Sequence, residues 1–360
     1  MTFRHRRSLA VITAATLACG SLIAAQPAFA HDEAIAGQPS IGDPLFPGIG
    51  NTGYDVQHYD VSLNYQPGEL ANDGFLNGDI TATTVITAVA DTPLKSFSLD
   101  FEGLNVDSLK VNGEPAEFTR SEDKTIESFK LHIVPAAPVS GQFTVEVEYS
   151  GQPVTHVDHD HSWEGWVRTK DGATALGQPV GTMTWIPSNN TPSDKATFDI
   201  RVTIPNEIHG KPAAAASNGE LTKTANGDGT TTWHWKQQRQ QATMATMLSI
   251  GNYDVYEGEI TLLDGTVIPE WTFVDPNITE KNKQVIQDRR DELQEVTQFF
   301  EKIWGKYPGG STGMVVDITE LGYALETQDR SYFERGVSHG TFVHEAVSYT
   351  HLTLPTNREV

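Results

Sequence analysis

The sequence predicts an α+β protein of several domains, in which an N-terminal antiparallel β-sandwich or saddle precedes a second domain that contains strands and a long helix. Between Tyr54 and Gly251, short segments alternate apolar and polar residues, as strands with one buried face do. Gly, Pro and Asn residues that favour turns separate these segments. One long segment with helical periodicity follows, between residues 279 and 304.

Residues 1–30 have the features of a secretory signal peptide. A basic start precedes an apolar run from Leu9 to Ala25, and Ala28-Phe29-Ala30 is a typical cleavage site. We therefore expect export by the general pathway and a secreted, extracellular protein, although Arg6-Arg7 also permits the twin-arginine route.

Cys19 is the only cysteine and would be removed with the signal peptide, so the remaining chain has no disulfide and no thiolate metal ligand. Lipid anchoring at Cys19 is not expected, because Thr16 stands where a lipidation site has Leu and apolar sequence continues past the cysteine.

The net charge of −22 is strongly acidic. Because residues 1–30 carry three Arg and no acidic residue, the chain after them has a net charge of −25. Such a charge opposes binding to nucleic acid and to anionic membrane surfaces, and solubility outside the cell accounts for it. We expect no nucleic-acid partner and no membrane span; the sequence leaves the oligomeric state open.

Residues 31–53 are rich in Gly and Pro and indicate a linker or a draped arm. The β domain is predicted over residues 54–254. Its predicted strands are Tyr54–Tyr65, Gly78–Val89, Phe97–Phe101, Leu109–Glu114, Phe129–Ile133, Phe143–Tyr149 and Ala196–Ile204.

The second domain is predicted over residues 255–346, with the boundary near Val255. Thr279 or Asn277 is expected to cap its long helix. The apolar face of this helix is formed by Ile286, Leu293, Val296, Phe300 and Ile303. A strand at Met314–Ile318, an edge strand carrying Glu326 and a second helix then follow.

His344-Glu345, in the second helix, matches the first half of the H-E-x-x-H zinc motif, in which two imidazoles four residues apart bind the metal. Ser348 stands where the second His belongs. His351 is the alternative second ligand, but the Ser, Thr, Tyr and Pro residues after Glu345 are expected to break the helix.

Four segments in order resemble the aminopeptidase N family of gluzincin zinc metallopeptidases, as in a secreted bacterial member. Tyr54–Tyr59 matches the Tyr-Asp-x-x-His-Tyr opening strand, and Lys195–Phe198 matches Lys-Ala-Thr-Phe. Met244–Gly251 matches the element that closes the N-terminal domain, and Ala324–Thr327 the amine-binding motif. The resemblance implies a thermolysin-like catalytic domain, of which these residues contain only the beginning.

The resemblance also implies site residues. Glu345 would be the general base and His344 the first ligand of a single zinc ion, while Glu326 would bind the free amine of peptide substrates. Gln178 would supply a second contact to that amine. The family's other ligands, a second His and a later Glu, are not among the 360 residues, so a fragment that is inactive as written is expected.

Residues 347–360 form a tail of a different character. Val347–Thr356 is the peptide that a transposase sequencing adapter encodes when it is read through in frame. We therefore expect this tail to be adapter-derived and disordered, and the natural protein to continue past Glu345.

His156-Val-Asp-His-Asp-His161 is a second cluster with metal-ligand residue types. His159 and His161 would share one strand face with no fixed third partner, so a solvated loop is expected. Nearby Trp163 and Trp166 are expected to be packing or cleft-wall residues.

Two functions remain open. The first is a zinc-dependent aminopeptidase that hydrolyses N-terminal residues from peptides, present here as a fragment. The second is a non-catalytic, secreted β-sandwich binding module that carries a degenerate peptidase remnant. The order of Glu326 before His344-Glu345 favours the first.

Overall fold

Strands make up about half of the described chain, as the alternating patterns predict. The structure is a computed structural model that describes residues 33–352, except for the side chains at 347 and 349–352. The predicted signal peptide and the end of the predicted adapter tail lie outside the described residues. From Glu33 onward the chain forms one compact unit. The domain boundary near Val255 stays a prediction.

The first half of the described chain contains eleven strands. They are β1 (Ile35–Ala36), β2 (Asp55–Leu70), β3 (Leu76–Asp100), β4 (Asn105–Val111), β5 (Glu114–Pro115), β6 (Glu117–Asp123), β7 (Ser128–Val134), β8 (Val139–Gly151), β9 (Thr155–Val157), β10 (Trp163–Arg168) and β11 (Ala173–Leu176).

The second half adds eleven more strands and both α-helices. They are β12 (Ala196–Pro205), β13 (Glu207–Ile208), β14 (Lys211–Pro212), β15 (Ala214–Ser217), β16 (Glu220–Ala225), β17 (Thr230–Gln241), β18 (Met247–Gly251), β19 (Asp254–Thr261), β20 (Val267–Val274), α1 (Glu280–Trp304), β21 (Thr312–Asp317), β22 (Ser331–Glu334) and α2 (His339–Leu352). Short 3-10 helices lie at Gly181–Thr184 and Thr243–Ala245.

Three sheets form the body of the protein. The largest follows the order β16-β17-β12-β2-β3-β8-β4-β5 and is antiparallel except where β12 pairs with β2 and β1 with β3. A five-stranded sheet, β15-β18-β11-β10-β9, packs against it in a shared apolar core. A four-stranded mixed sheet, β19-β20-β21-β22, packs against α1 and α2 in a separate core.

The five-stranded sheet is the middle layer. Strands β11, β15 and β18 are buried at every residue, because both of their faces are covered. The large sheet covers one face, and on the other Thr174 donates a 2.9 Å hydrogen bond to Asp317 of β21. This layer therefore joins the predicted β domain to the segment that follows it.

Helix α1 is confirmed with its Thr279 cap, whose side chain accepts from the Asn282 amide at 3.3 Å. Ile286, Leu293 and Phe300 are buried as predicted, whereas Ile303, in the last turn of the helix, is 53% exposed.

Two local predictions are wrong. Glu326 does not lie in an edge strand, because the chain there forms only a single bridge, between Leu325 and Tyr332. Helix α2 does not break after Glu345 but continues to Leu352. Ser, Thr and Tyr each cost a helix only about 0.5 kcal/mol, and Pro355 lies outside the described residues.

No helix within residues 33–352 combines the length and the apolar character that a bilayer-crossing segment needs.

Asp317 is a buried carboxylate between the middle and four-stranded sheets. It accepts hydrogen bonds from the Tyr253 hydroxyl at 2.7 Å and from Thr174. Burial raises the pKa of Asp317 to about 6, even though the Tyr253 hydrogen bond lowers it; the charge of Asp171 adds to the rise. Because the folded pKa lies above the unfolded one, ionised Asp317 destabilises the fold above about pH 6, and this cost disappears as the pH falls toward 4.

We predict that Asp317→Asn changes how stability depends on pH. The free energy of unfolding of the variant minus that of the parent should be roughly 1 kcal/mol larger near pH 7.5 than near pH 5, because Asn cannot ionise and the variant is spared the cost of a buried charge. Urea unfolding at both pH values measures this. Asp107→Asn, at an exposed position on β4, is the control and should show no such difference. The same pH dependence of unfolding free energy in both variants would show that ionised Asp317 does not destabilise the fold.

Candidate functional site

Helix α2 presents His344 and Glu345 on different sides. Phe342 is buried in the core that α2 shares with α1, which places Glu345, three residues later, on the packed side of the helix. Glu345 is 5% exposed, whereas the His344 side chain is exposed. Ser348 follows His344 by four residues in the same helix, so the two share a face.

Glu326 is carried by a turn that is fixed to the predicted β domain. Leu325 and Tyr332 exchange two backbone hydrogen bonds at 3.0 and 2.9 Å, which closes the turn. The Gln328 amide donates to the Ala245 carbonyl at 3.1 Å, and the Asn218 side chain donates to the Gln328 carbonyl at 2.6 Å. The half-buried Glu326 is therefore held by contacts on both sides of its own segment.

Glu326 and Glu345 form a carboxyl pair. Burial, the charge of Glu326 and a hydrogen bond between the two carboxyls together raise the pKa of Glu345 to about 7, and burial is the largest cause. Such a hydrogen bond exists only when one carboxyl holds a proton. Glu345 Oε2 is buried and has no other donor within the described residues. The pair would thus be stabilised by a cation placed between the two side chains.

Gln178 lies in the loop after β11, and the buried carboxylate of Glu164 holds this loop by accepting from the Val180 amide at 3.1 Å. Burial raises the pKa of Glu164 to about 8. Gly177 packs so tightly on the Thr243–Ala245 turn that a Cβ there would lie 2.7 Å from the Thr243 carbonyl.

The same turn anchors the Glu326 segment, since Ala245 accepts from Gln328. The Gln178 loop and the Glu326 segment therefore both border the Thr243–Ala245 turn. The described contacts do not join Gln178 to Glu326 directly. A second hydrogen bond connects the segment before Glu326 to β10: the Tyr323 hydroxyl donates to the Trp163 carbonyl at 2.8 Å.

The residues present do not fit a catalytic zinc ion at His344. Within residues 33–352, the group of three His, Asp or Glu ligands close enough to hold a metal lies elsewhere and does not include His344. Ser348 offers a neutral hydroxyl where the zinc motif has an imidazole. The side chain of His351, the alternative ligand, lies outside the described part.

The predicted solvated loop is only partly solvated. His159 and His161 are exposed, but His156 is buried, with Nδ1 2.7 Å from Glu102 Oε2. Burial alone would lower the pKa of His156, but Glu102 and Glu164 together raise it. Trp166 is a core residue, while Trp163 is 45% exposed, and both agree with packing or cleft-wall roles.

Arg330 is the residue that sequence reasoning missed. Arg330 follows Glu326 by four residues and is 1% exposed. Its guanidinium donates hydrogen bonds to the carbonyls of Trp271, Ser217 and Thr312. Its only sequence signal is its place just after the predicted amine-binding motif.

The comparisons with known proteins agree with this architecture. The family model of the Peptidase M1 N-terminal domain matches residues 56–246. Among solved structures, a two-domain M1 zinc metallopeptidase mutant bound to L-arginine is 25% identical with a TM-score of 0.72, covering 86% of this chain and 67% of that one. The search of curated proteins finds no match.

Two further structures share the fold. An M1 zinc metallopeptidase mutant from Deinococcus radiodurans, bound to a Tyr-Ser-Ala substrate, is 24% identical with a TM-score of 0.72, covering 85% of this chain and 66% of that one. Aminopeptidase A from Legionella pneumophila, in complex with aspartic acid, is 16% identical with a TM-score of 0.64. The match covers 83% of this chain and 34% of that one.

This chain thus spans slightly less than two thirds of the Deinococcus protein. The family model covers more than half of the 360 residues, in the region where the sequence motifs and the large sheet coincide. The chain belongs to the family defined by the M1 peptidase N-terminal domain, and its fold is that of M1 peptidases.

Proposed function

We propose that this chain is the amine-recognising part of a secreted zinc aminopeptidase, which removes N-terminal residues from peptides when the complete ligand set is present. The observation that carries the proposal is the Glu326–Glu345 carboxyl pair, placed beside the turn that also borders Gln178. In this proposal Glu326 binds the substrate ammonium, Gln178 adds a polar contact, and Glu345 is the general base.

A peptide's N-terminal ammonium suits this pair for electrostatic reasons. Glu345 is almost fully buried, so a cation that neutralises it gains from the low local dielectric. Glu326 is half-buried and lies beside Glu345, so an ammonium bound by Glu326 is also stabilised by the charge of Glu345, which stays available as the general base. A blocked N-terminus has no positive charge and should not bind there.

We do not expect these 360 residues to hydrolyse peptides. His344 would be the first ligand of a zinc ion in the complete protein, but Ser348 cannot replace the second imidazole. We expect no chelator-sensitive hydrolysis of aminoacyl-anilides by these 360 residues.

A non-catalytic binding module is the second candidate function, and the incomplete ligand set at His344 favours it. The two candidates differ in what they require of a ligand. A site descended from an aminopeptidase requires a free α-amine, whereas a β-sandwich that binds through another surface does not.

We predict that Glu326→Gln weakens binding of L-leucinamide about tenfold or more, because it removes a charge-assisted hydrogen bond to the ammonium. Isothermal titration calorimetry measures the affinity. Glu320→Gln, at an exposed position six residues earlier, removes the same charge and is the matched control.

N-acetyl-L-leucinamide tests the requirement for the free amine. The proposal expects no binding of this ligand by either the parent or the variants. Equal affinity for the acetylated and free ligands, or an unchanged affinity in Glu326→Gln, would contradict amine recognition and support the binding-module alternative.

We also predict that Ser348→His raises zinc affinity about tenfold or more, because it puts two imidazoles four residues apart on one face of α2. Zinc titration compares three proteins: the parent, Ser348→His, and Ser348→His combined with His344→Ala. The double variant should lose the gain, and any other zinc site contributes equally to all three. A gain that survives His344→Ala would show that His344 is not a ligand.

A further inference from the structure

A second cluster of metal-ligand side chains lies on the predicted β domain and includes no residue of α2. Glu127 comes from the turn between β6 and β7, and Asp158 and His159 come from the loop between β9 and β10. The sequence pattern pairs His159 with His161 and offers no fixed third partner, whereas the fold groups His159 with Asp158 and with Glu127, which lies about 30 residues earlier in the chain.

The three side chains converge on one point. His159 Nδ1 lies 2.6 Å from Glu127 Oε1 and 3.9 Å from Asp158 Oδ1. One ligand atom from each residue lies within 4.8 Å of the other two. Zinc–ligand bonds of about 2.0–2.2 Å place ligand atoms roughly 3.5 Å apart, so only small side-chain rotations would bring all three onto one ion.

Glu127 is buried and one of its oxygens has no hydrogen-bond donor. The residue is 3% exposed, and Oε2 has no donor within the described part of the chain. Burial raises the pKa of Glu127 to about 7, and the nearby Asp158 carboxylate contributes to the rise while His159 and His156 oppose it. A buried carboxylate oxygen in this position is an available ligand atom.

The backbone around Glu127 is fixed by packing. A Cβ at Gly48 would lie 2.0 Å from the Ile126 carbonyl, so the chain before β2 packs directly on this turn. Phe129, two residues after Glu127, is buried with Ile49 in a small apolar cluster. The carboxylate is therefore presented from a rigid turn toward the neighbouring loop.

We propose that Glu127, Asp158 and His159 form a binding site for a divalent transition-metal ion, for which zinc is the best fit. One imidazole and two carboxylates match zinc, which accepts mixed nitrogen and oxygen ligands at four-coordinate sites. Calcium and magnesium prefer six or more oxygen ligands and fit poorly. His159 is 55% exposed, so the fourth position faces solvent and would hold water.

A bound ion would link the β6–β7 turn to the β9–β10 loop through its three protein ligands. The adjoining His156 is held by Glu102, and its Nε2 lies 3.9 Å from Glu164, the residue that holds the Gln178 loop. The proposed role is structural, because the site stabilises two loops and needs no substrate.

The test is isothermal titration of zinc chloride into the metal-free full chain carrying His344→Ala, which removes the α2 imidazole. We expect one zinc ion to bind with a Kd of about 10 µM or tighter and to raise the Tm. Asp158→Asn and His159→Gln should each weaken binding at least about tenfold. Asp160→Asn is the matched control, since it removes the same charge from an exposed position two residues from Asp158.

Calcium and magnesium chloride at the same concentration should not raise the Tm. Glu127→Gln, which keeps the shape of the buried side chain, should weaken zinc binding as the loop variants do. The proposal is overturned if the His344→Ala chain binds no zinc at about 100 µM. It is also overturned if Asp158→Asn and His159→Gln bind as the parent does while remaining folded by circular dichroism.

Discussion

The structure depends on one buried cation, Arg330. Its guanidinium donates to the carbonyls of Ser217, Trp271 and Thr312 and lies 4.5 Å above the ring of Trp235. Trp235 belongs to the large sheet, Ser217 to the five-stranded sheet, and the other two partners to the four-stranded sheet. Burial lowers the pKa of Arg330 to about 10, so it stays charged at neutral pH and a single side chain joins all three sheets.

The position of the candidate site follows from this junction. The segment before Arg330 cannot move independently, because Gln328 is bonded to Ala245 and Asn218 and Leu325 is paired with Tyr332. Glu326 is displayed between these anchors. Helix α2 is fixed separately by its own core, so the approach of Glu345 to Glu326 is set by two rigid elements. The Arg330 junction and the candidate site therefore share the same segment of the chain.

Sequence patterns predicted what depends on local periodicity. Alternation located β2 and β3, and the apolar spacing with Thr279 located α1. Sequence patterns did not predict the features that depend on contacts between residues far apart in the chain. Neither the junction at Arg330 nor the approach of Glu127 to His159 has a local signal, since each joins segments tens of residues apart. Helix α2 extends through Leu352 because the Ser, Thr and Tyr residues after Glu345 have only modestly unfavourable helix propensities.

The most direct test of amine recognition is a crystal structure of this chain with bound L-leucinamide. We expect the ligand's ammonium nitrogen within about 3 Å of a Glu326 oxygen and next to Glu345, as for a charge-assisted hydrogen bond. We also expect the Arg330 junction to be unchanged from the free protein. A ligand whose amine points to solvent, or one bound away from Glu326, would contradict the account.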